Sequence, residues 1–306
     1  MSAQILTDWD AEKAQGFSKK NIIAKHNLHE REMFSDDGLI ELLDRYPREQ
    51  LGIYTMGKDP TKRQALRAGT AEGLSGADIL EAVKHGRIWL NLRKANLALP
   101  EYRDLCADMF GDIEAQSPGV KTFKQDMGVL ISSPDVQVYY HFDVPLVTLW
   151  QVRGVKRVWL YTPKKPFLLD EDIERVVLKE TEEEVPFELA FDDSAQIIDL
   201  EPGLMATWPQ FGPHRIVNHG VMNVSLSCEF QTYMSLVRAN AAYANGVYRR
   251  NFGMTPSIYG NSGAELHFKA FSARVFKMLK LRKAFEYQIP KTFKIDPGAD
   301  LGFSEV

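Results

Sequence analysis

Cysteine is scarce: the 306 residues hold two, Cys106 and Cys228, far apart and outside any CxxC or zinc-type spacing. That argues against a disulfide framework or a cysteine metal site and leaves two buried, reduced thiols as the expectation. Long apolar runs are missing too, since no segment approaches the ~20 residues of a membrane span. The first residues carry Asp8, Asp10 and Glu12 where a secretion signal would carry basic residues followed by an apolar run, so the cytoplasm is the expected compartment. There is no excess of positive charge. With net charge -4 and pI near 6.0, a general nucleic-acid or membrane-coating role lacks the broad cationic field it needs. No internal repeat or low-complexity tract is found. What the chain does have is length and an apolar share of 44%, enough for a sizeable buried core.

The first third mixes helix and strand. FSDDGLIELLDRY (34–46) offers a capping Ser35, an acidic first turn and Leu39, Leu42 and Leu43 at helical spacing before Pro47. LGIYTM (51–56) and RIWLNL (87–92) predict strands, SGADILEAVKHG (75–86) a helix closed by Gly86, and PEYRDLCADMFG (100–111) a helix opened by Pro100. From about Val120 the pattern changes to short β-rich runs, GVLISS, VQVYYHFD, VTLWQVRG, VKRVWLYTP, AQIIDLEPG, LMATWPQ, HRIVNHG and MNVSLSCEFQT, punctuated by Gly, Pro and Asp. This predicts a sandwich or barrel. The acidic interruption at 167–191, with Glu182, Glu183 and Glu184 together, reads as a solvated excursion at the barrel's edge or a border of its mouth. After Thr232 the pattern is helical again. On the last helix Phe268, Phe271, Val275 and Met278 form one stripe, and Lys269, Lys277, Lys280 and Lys283 decorate the other faces. The stripe is expected to pack on the barrel or on a partner subunit. Three regions result: a 1–119 N-terminal α/β extension, a 120–234 barrel core and a 235–306 C-terminal helical region.

Of seven histidines, His141 pairs best with a carboxylate. His141 and Asp143 stand two apart in the strand-like VYYHFDV, and side chains at i and i+2 of a strand share a face. His214, 71 residues after Asp143, opens HRIVNHG, a run that a barrel can return beside the first. Two imidazoles and a carboxylate are the facial triad of non-haem Fe(II) oxygenases, which leaves coordination positions open. By itself a His-x-Asp pair is common by accident. Lys156 follows His141 by fifteen residues among Val155, Val158 and Leu160. Its ammonium either meets an anion in an apolar interior or snorkels outward, and strand physics leaves both open. Asn218 shares strand parity with His214 and is either a turn residue before His219-Gly220 or a contact to a bound molecule. His26 and His29, at i, i+3 of an expected helical segment, lack a completing carboxylate and are expected at the surface, and His85, His219 and His267 sit beside turns or on charged helices, which fits structural or solvated roles. Trp150, Trp159 and Trp208 fit barrel packing or a pocket wall.

HFDVPLVTLWQVRGVKRVWLY, with GPHRIVN downstream, resembles the JmjC and related cupin-like oxygenases, a superfamily that includes the asparaginyl hydroxylase of hypoxia-inducible factor; the match covers roughly 129–232. The resemblance implies a mainly β double-stranded β-helix core with an N-terminal α/β extension and C-terminal helices. It implies Fe(II) held by His141, Asp143 and His214, and Lys156 on the distal carboxylate of 2-oxoglutarate. Dioxygen and 2-oxoglutarate would be consumed, hydroxylating a protein, peptide or small-molecule substrate with release of succinate and CO2. Where the family often has a hydroxyl three residues before the first histidine, this chain has Val138, and Tyr139 is the candidate substitute contact. The asparagine common near the end of the following strand is replaced, with Cys228 as the candidate. Homodimerisation through the last helix, as in some relatives, is a further implication. Two other readings remain at this point: a metal cupin that isomerises or cleaves a small molecule without 2-oxoglutarate, and a non-catalytic regulatory cupin.

Overall fold

The computed structural model describes residues 4–182, 185–282 and 289–306. Twelve strands among them join one hydrogen-bonded network: β1 (Ile22–Lys25), β2 (Leu51–Thr55), β3 (Arg67–Thr70), β4 (Trp89–Leu92), β5 (Phe123–Ser132), β6 (Gln137–His141), β7 (Leu146–Leu160), β8 (Gln196–Leu200), β9 (Leu204–Thr207), β10 (His214–Gln231), β11 (Lys291–Ile295) and β12 (Phe303–Glu305). Two long strands organise it. The first half of β7 and the second half of β10 pair in a larger sheet, flanked by β9 and β5, while their other halves pair in a smaller sheet flanked by β8 and β6. The ladder between β7 and β10 shifts between His219 and Val224, where the pair bends from one sheet into the other. Gly154 sits at the bend with φ +70°, and a Cβ there would lie 2.7 Å from the Asn223 side chain, so only glycine fits.

The larger sheet does not stop at the barrel. It continues through β4, β2 and β3, and then β11 and β12 from the C-terminal region, so residues from all three regions share one ladder. Its outer face meets three helices whose sequence signals are present as built. Helix α2 (Asp36–Arg45) is capped by Ser35, α3 (Gly76–His85) has a capping box between Ser75 and Asp78, and α5 (Pro100–Gln116) starts on its proline. Numbered with them, α1 (Ala11–Gly16) and α4 (Ala95–Ala98) are short. Leu39, Leu43, Ile79, Val83, Leu105, Met109 and Phe110 pack against Leu90, Met127, Val129, Ile131, Leu226, Cys228 and Phe230 in the largest apolar cluster. Each such side chain contributes roughly 1.5–3 kcal/mol by leaving water.

The outer face of the smaller sheet is covered by the segment that the charge pattern predicts to be a solvated excursion. Helix α6 (Asp170–Val177) turns Ile173 and Val176 onto Tyr140, Phe142 and Tyr161, joined by Val237 and Ala241 of α7 (Tyr233–Phe252). The reason is amphipathicity within a charged stretch: Glu174, 1% exposed, is paired with Arg249 and Arg250 of α7 at 2.7 and 3.0 Å. Glu182 lies 3.8 Å from Arg63; Glu183 and Glu184 lie outside the described residues.

Helix α8 (Gly263–Met278) packs on α7 through Leu266, Ala273 and Phe276. Lys269 is not on an open face, being buried on Glu265, Asn261 and the Ser257 carbonyl. The expected stripe does not pack on the barrel: Phe268, Phe271 and Met278 are 63–76% exposed. Lys283 lies outside the described residues. Among the described residues no helix is long and apolar enough to cross a membrane.

Candidate metal centre

Inside the barrel the alternation of β7 and β10 gives a second, inward surface. Leu149, Val158, Leu160, Ile198, Leu200, Ala206 and Ile216 line it. Backbone pairing places His214 opposite both His141 and Leu160, Ile216 opposite Val158, and Asn218 opposite Lys156. Directly opposed residues in a ladder share a face. Lys156, Asn218 and the two imidazoles therefore belong to the same wall as the apolar lining.

His141 ends β6, Asp143 lies in the turn before β7, and His214 begins β10. Their ligand atoms lie within 4.8 Å of one another. Asp143 Oδ1 is 4.0 Å from His141 Nε2, and Asp143 Oδ2 is 3.5 Å from His214 Nε2. One carboxylate oxygen faces each imidazole nitrogen, so the three side chains point at a common space that an ion could occupy. The tautomers suit it too. His141 Nδ1 lies 2.7 Å from the Tyr139 carbonyl and His214 Nδ1 3.1 Å from the Gly212 carbonyl. A carbonyl only accepts, so each Nδ1 carries the proton and each Nε2 lone pair is left for a metal. Burial, followed by the neighbouring His214, pushes the His141 pKa well below its usual value, and burial pushes His214 down to about 4. Both imidazoles are thus neutral at neutral pH, the form that coordinates. Trp208 closes one side, its ring 4.4 Å from that of His214. Two nitrogens and one carboxylate fit Fe(II).

Lys156 is 2% exposed, and burial lowers its pKa to about 7. No ion pair or hydrogen bond to its ammonium is found among the described residues. A buried cation without a partner costs stability that an incoming anion would return. Asn218, 2% exposed, gives its amide protons to Ser132 Oγ and the Ser133 carbonyl, both at 2.8 Å. Those bonds fix it beside Lys156.

Tyr139 contributes its backbone carbonyl to His141, while its hydroxyl accepts from the Gly57 N–H at 3.1 Å and its ring packs with Met56 and Val136. Val138 packs against the inward cluster. Cys228 faces away from the cavity, in the helix–sheet core with Met127 and Phe230. Parity explains this: the inward residues on that stretch of β10 are Ser225, Ser227 and Glu229, opposite Leu130, Gly128 and Asp126. His26 is not at the surface as expected but buried, because its ring packs on Trp150 and its nitrogens meet the Leu204 carbonyl and the Leu28 N–H; His85, His219 and His267 are exposed. Arg63 had no sequence signal. It opens a short 3-10 turn (Arg63–Ala65) after β2, yet lies near enough to His141 to oppose its protonation.

Among solved structures the chain is similar to the X-ray structure of E. coli ycfD, with a TM-score of 0.51 and 17% identity over 92% of this chain and 69% of that one. It is also similar to the structure of YcfD, a ribosomal oxygenase from Escherichia coli, in complex with cobalt and 2-oxoglutarate (TM-score 0.48, 17% identity, 91% of this chain and 67% of that one). No family model matches the chain, and no curated protein matches it. At 17% identity the first similarity speaks to the fold. That fold is a double-stranded β-helix of the cupin type, extended along one sheet and flanked by helices.

Proposed function

We propose that the chain is an Fe(II)- and 2-oxoglutarate-dependent hydroxylase acting in the cytoplasm. The observation that carries this reading is Lys156, a buried ammonium without a partner among the described residues, on the same inward wall as His141 and His214. A metal centre alone would serve many reactions; a second, internal cation calls for a cosubstrate that bridges the two. A dicarboxylate would supply the anion that Lys156 lacks among the described residues.

His141, Asp143 and His214 would hold the iron on one face. When bound, iron with 2-oxoglutarate supplies the oxidation: dioxygen is consumed, 2-oxoglutarate becomes succinate and CO2, and one oxygen atom enters a C–H bond of the substrate. The chain's own residues prepare this. The Tyr139 and Gly212 carbonyls hold the imidazole tautomers, Trp208 and the apolar lining limit water, and Lys156 fixes the end of the dicarboxylate away from the metal. The substrate is a protein, peptide or small molecule. The exposed stripe of α8 is assigned to a second copy of the chain, giving the homodimer that the sequence resemblance implies.

The test needs no primary substrate. Iron-loaded protein is titrated with 2-oxoglutarate without oxygen, following absorbance. Saturable binding that requires both the metal and Lys156 is expected; equal binding by the metal-free protein or by Lys156→Met would reject the reading.

A further inference from the structure

The two segments that carry the ligands are tied to each other by residues that are not ligands. In the turn that leads into His214, Gln210 is 5% exposed and donates both amide protons, one to the Val144 carbonyl and one to the Ser235 carbonyl, each at 2.9 Å. Val144 follows Asp143 directly, and Ser235 lies in the first turn of α7. The next residue, Phe211, is held at φ 63° and sets its ring edge-on to Phe142, 5.9 Å away at 90°. Phe142 lies between His141 and Asp143. A bulky residue in the left-handed region costs roughly 1–3 kcal/mol and persists only where its surroundings over-determine it. Here the turn bond from Gly212 N–H to the Pro209 carbonyl (2.9 Å) and the Phe142 contact do so.

These braces matter most for Asp143. Each histidine belongs to a strand, whereas Asp143 lies in the turn between β6 and β7. We infer that Gln210 is a positioning residue that holds the Asp143 turn against the His214 turn, and that through it the first turn of α7 belongs to the metal centre. The chemistry requires an amide. Two backbone carbonyls need two protons from one side chain; a carboxylate would face them with oxygen, and an apolar chain would leave both unmet. This inference rests on the metal reading proposed above.

The experiment follows Co(II) binding to the metal-free protein by its visible spectrum, alongside thermal unfolding of the metal-free form. Gln210→Met keeps the chain length and removes both donors; Leu39→Ala lowers stability from the separate helix–sheet core. Gln210→Met is expected to weaken Co(II) binding about 10- to 100-fold, the usual effect of removing a group that orients a ligand, and to alter the Co(II) bands. Leu39→Ala is expected to keep wild-type affinity and bands despite a lower Tm. Gln210→Asn, with the amide one methylene short, is expected to fall between, and replaces the methionine variant if that one does not fold. Wild-type affinity and spectrum in the Gln210 variant, or an equal loss in Leu39→Ala, would overturn the inference while leaving the metal reading intact. Failure of the wild-type protein to bind Co(II) would instead overturn the metal reading and this inference with it.

Discussion

The outer face of the larger sheet and the inside of the barrel draw on the same strands, yet they are built to different ends. Along β10, Val224, Leu226, Cys228 and Phe230 point outward into an apolar core with the N-terminal helices. On the inward wall, the same strand supplies His214 and Asn218. Along β7, Trp150 and Val152 face outward, while Leu149 faces inward and so does Lys156 farther on, beside Val158. The outward set satisfies itself. The inward set holds Lys156, whose ammonium has no partner among the described residues, and His141, Asp143 and His214, whose ligand atoms lie within 4.8 Å of one another. Strand parity thus separates what stabilises the protein from what it is for.

The largest effect that could break this division is on metal binding. His141→Ala or Asp143→Ala is expected to abolish iron binding in a metal titration while the metal-free protein keeps its Tm to within a few degrees; retained binding would remove the site assignment. The opposite substitution is Phe110→Ala on the outer face, expected to cost about 3–5 kcal/mol in urea unfolding with the iron stoichiometry unchanged. A change in stoichiometry would mean that the two surfaces are not separable.

Lys156→Met sharpens the comparison further, because stability and function should move in opposite directions. Replacing a buried ammonium that has no partner among the described residues by an apolar chain of similar length is expected to raise the stability of the metal-free protein by about 1–4 kcal/mol. It is also expected to weaken 2-oxoglutarate binding about 100-fold, corresponding to a salt bridge on the order of 3 kcal/mol. A stability loss would show that the ammonium already has a partner. The same residue predicts a pH effect. Its pKa falls from 10.5 to about 7 on folding, so between those values the unfolded chain holds a proton that the folded one does not, and the metal-free protein gains stability as pH rises from about 7 to 10.5. Anion binding runs the other way. A dicarboxylate needs the ammonium, so above pH 7 binding takes up a proton and affinity falls by up to about tenfold per pH unit, which calorimetry in buffers of different ionisation enthalpy reads directly. Affinity independent of pH from 7 to 9 would exclude Lys156 as the anchor. The smallest expected effect is on α8: Phe268→Asp with Phe271→Asp is expected to convert a dimer to a monomer in light scattering while metal affinity is unchanged, and a wild-type monomer would reject the dimer.

Much of this was legible in the sequence because the signals were local. Ser35, Gly86 and Pro100 mark helix ends by their own chemistry, and His141, Lys156 and His214 stand at separations that strands translate into one wall, with Asp143 two residues past His141 in the turn that follows β6. What stayed hidden depended on contacts across the chain. The charge of 167–191 masked the amphipathic α6, whose carboxylate Glu174 is buried only because Arg249 and Arg250 come from 75 and 76 residues away. Cys228 lies near the end of β10, but a one-residue change of parity sends it to the opposite face. Gln210 and Arg63 carry no pattern at all, since a turn and a single 3-10 turn are too short to show a period.

The bend of β7 and β10 has a consequence for how the chain can be altered. Residues His219, Gly220 and Val221 stand out into solvent there, at the end of the barrel away from the metal-ligand residues. Added sequence between Gly220 and Val221 would enlarge the irregularity of β10 that lies between the paired residues His219 and Asn223. The far end of the barrel is therefore the natural place to insert a reporter domain or to open new chain termini.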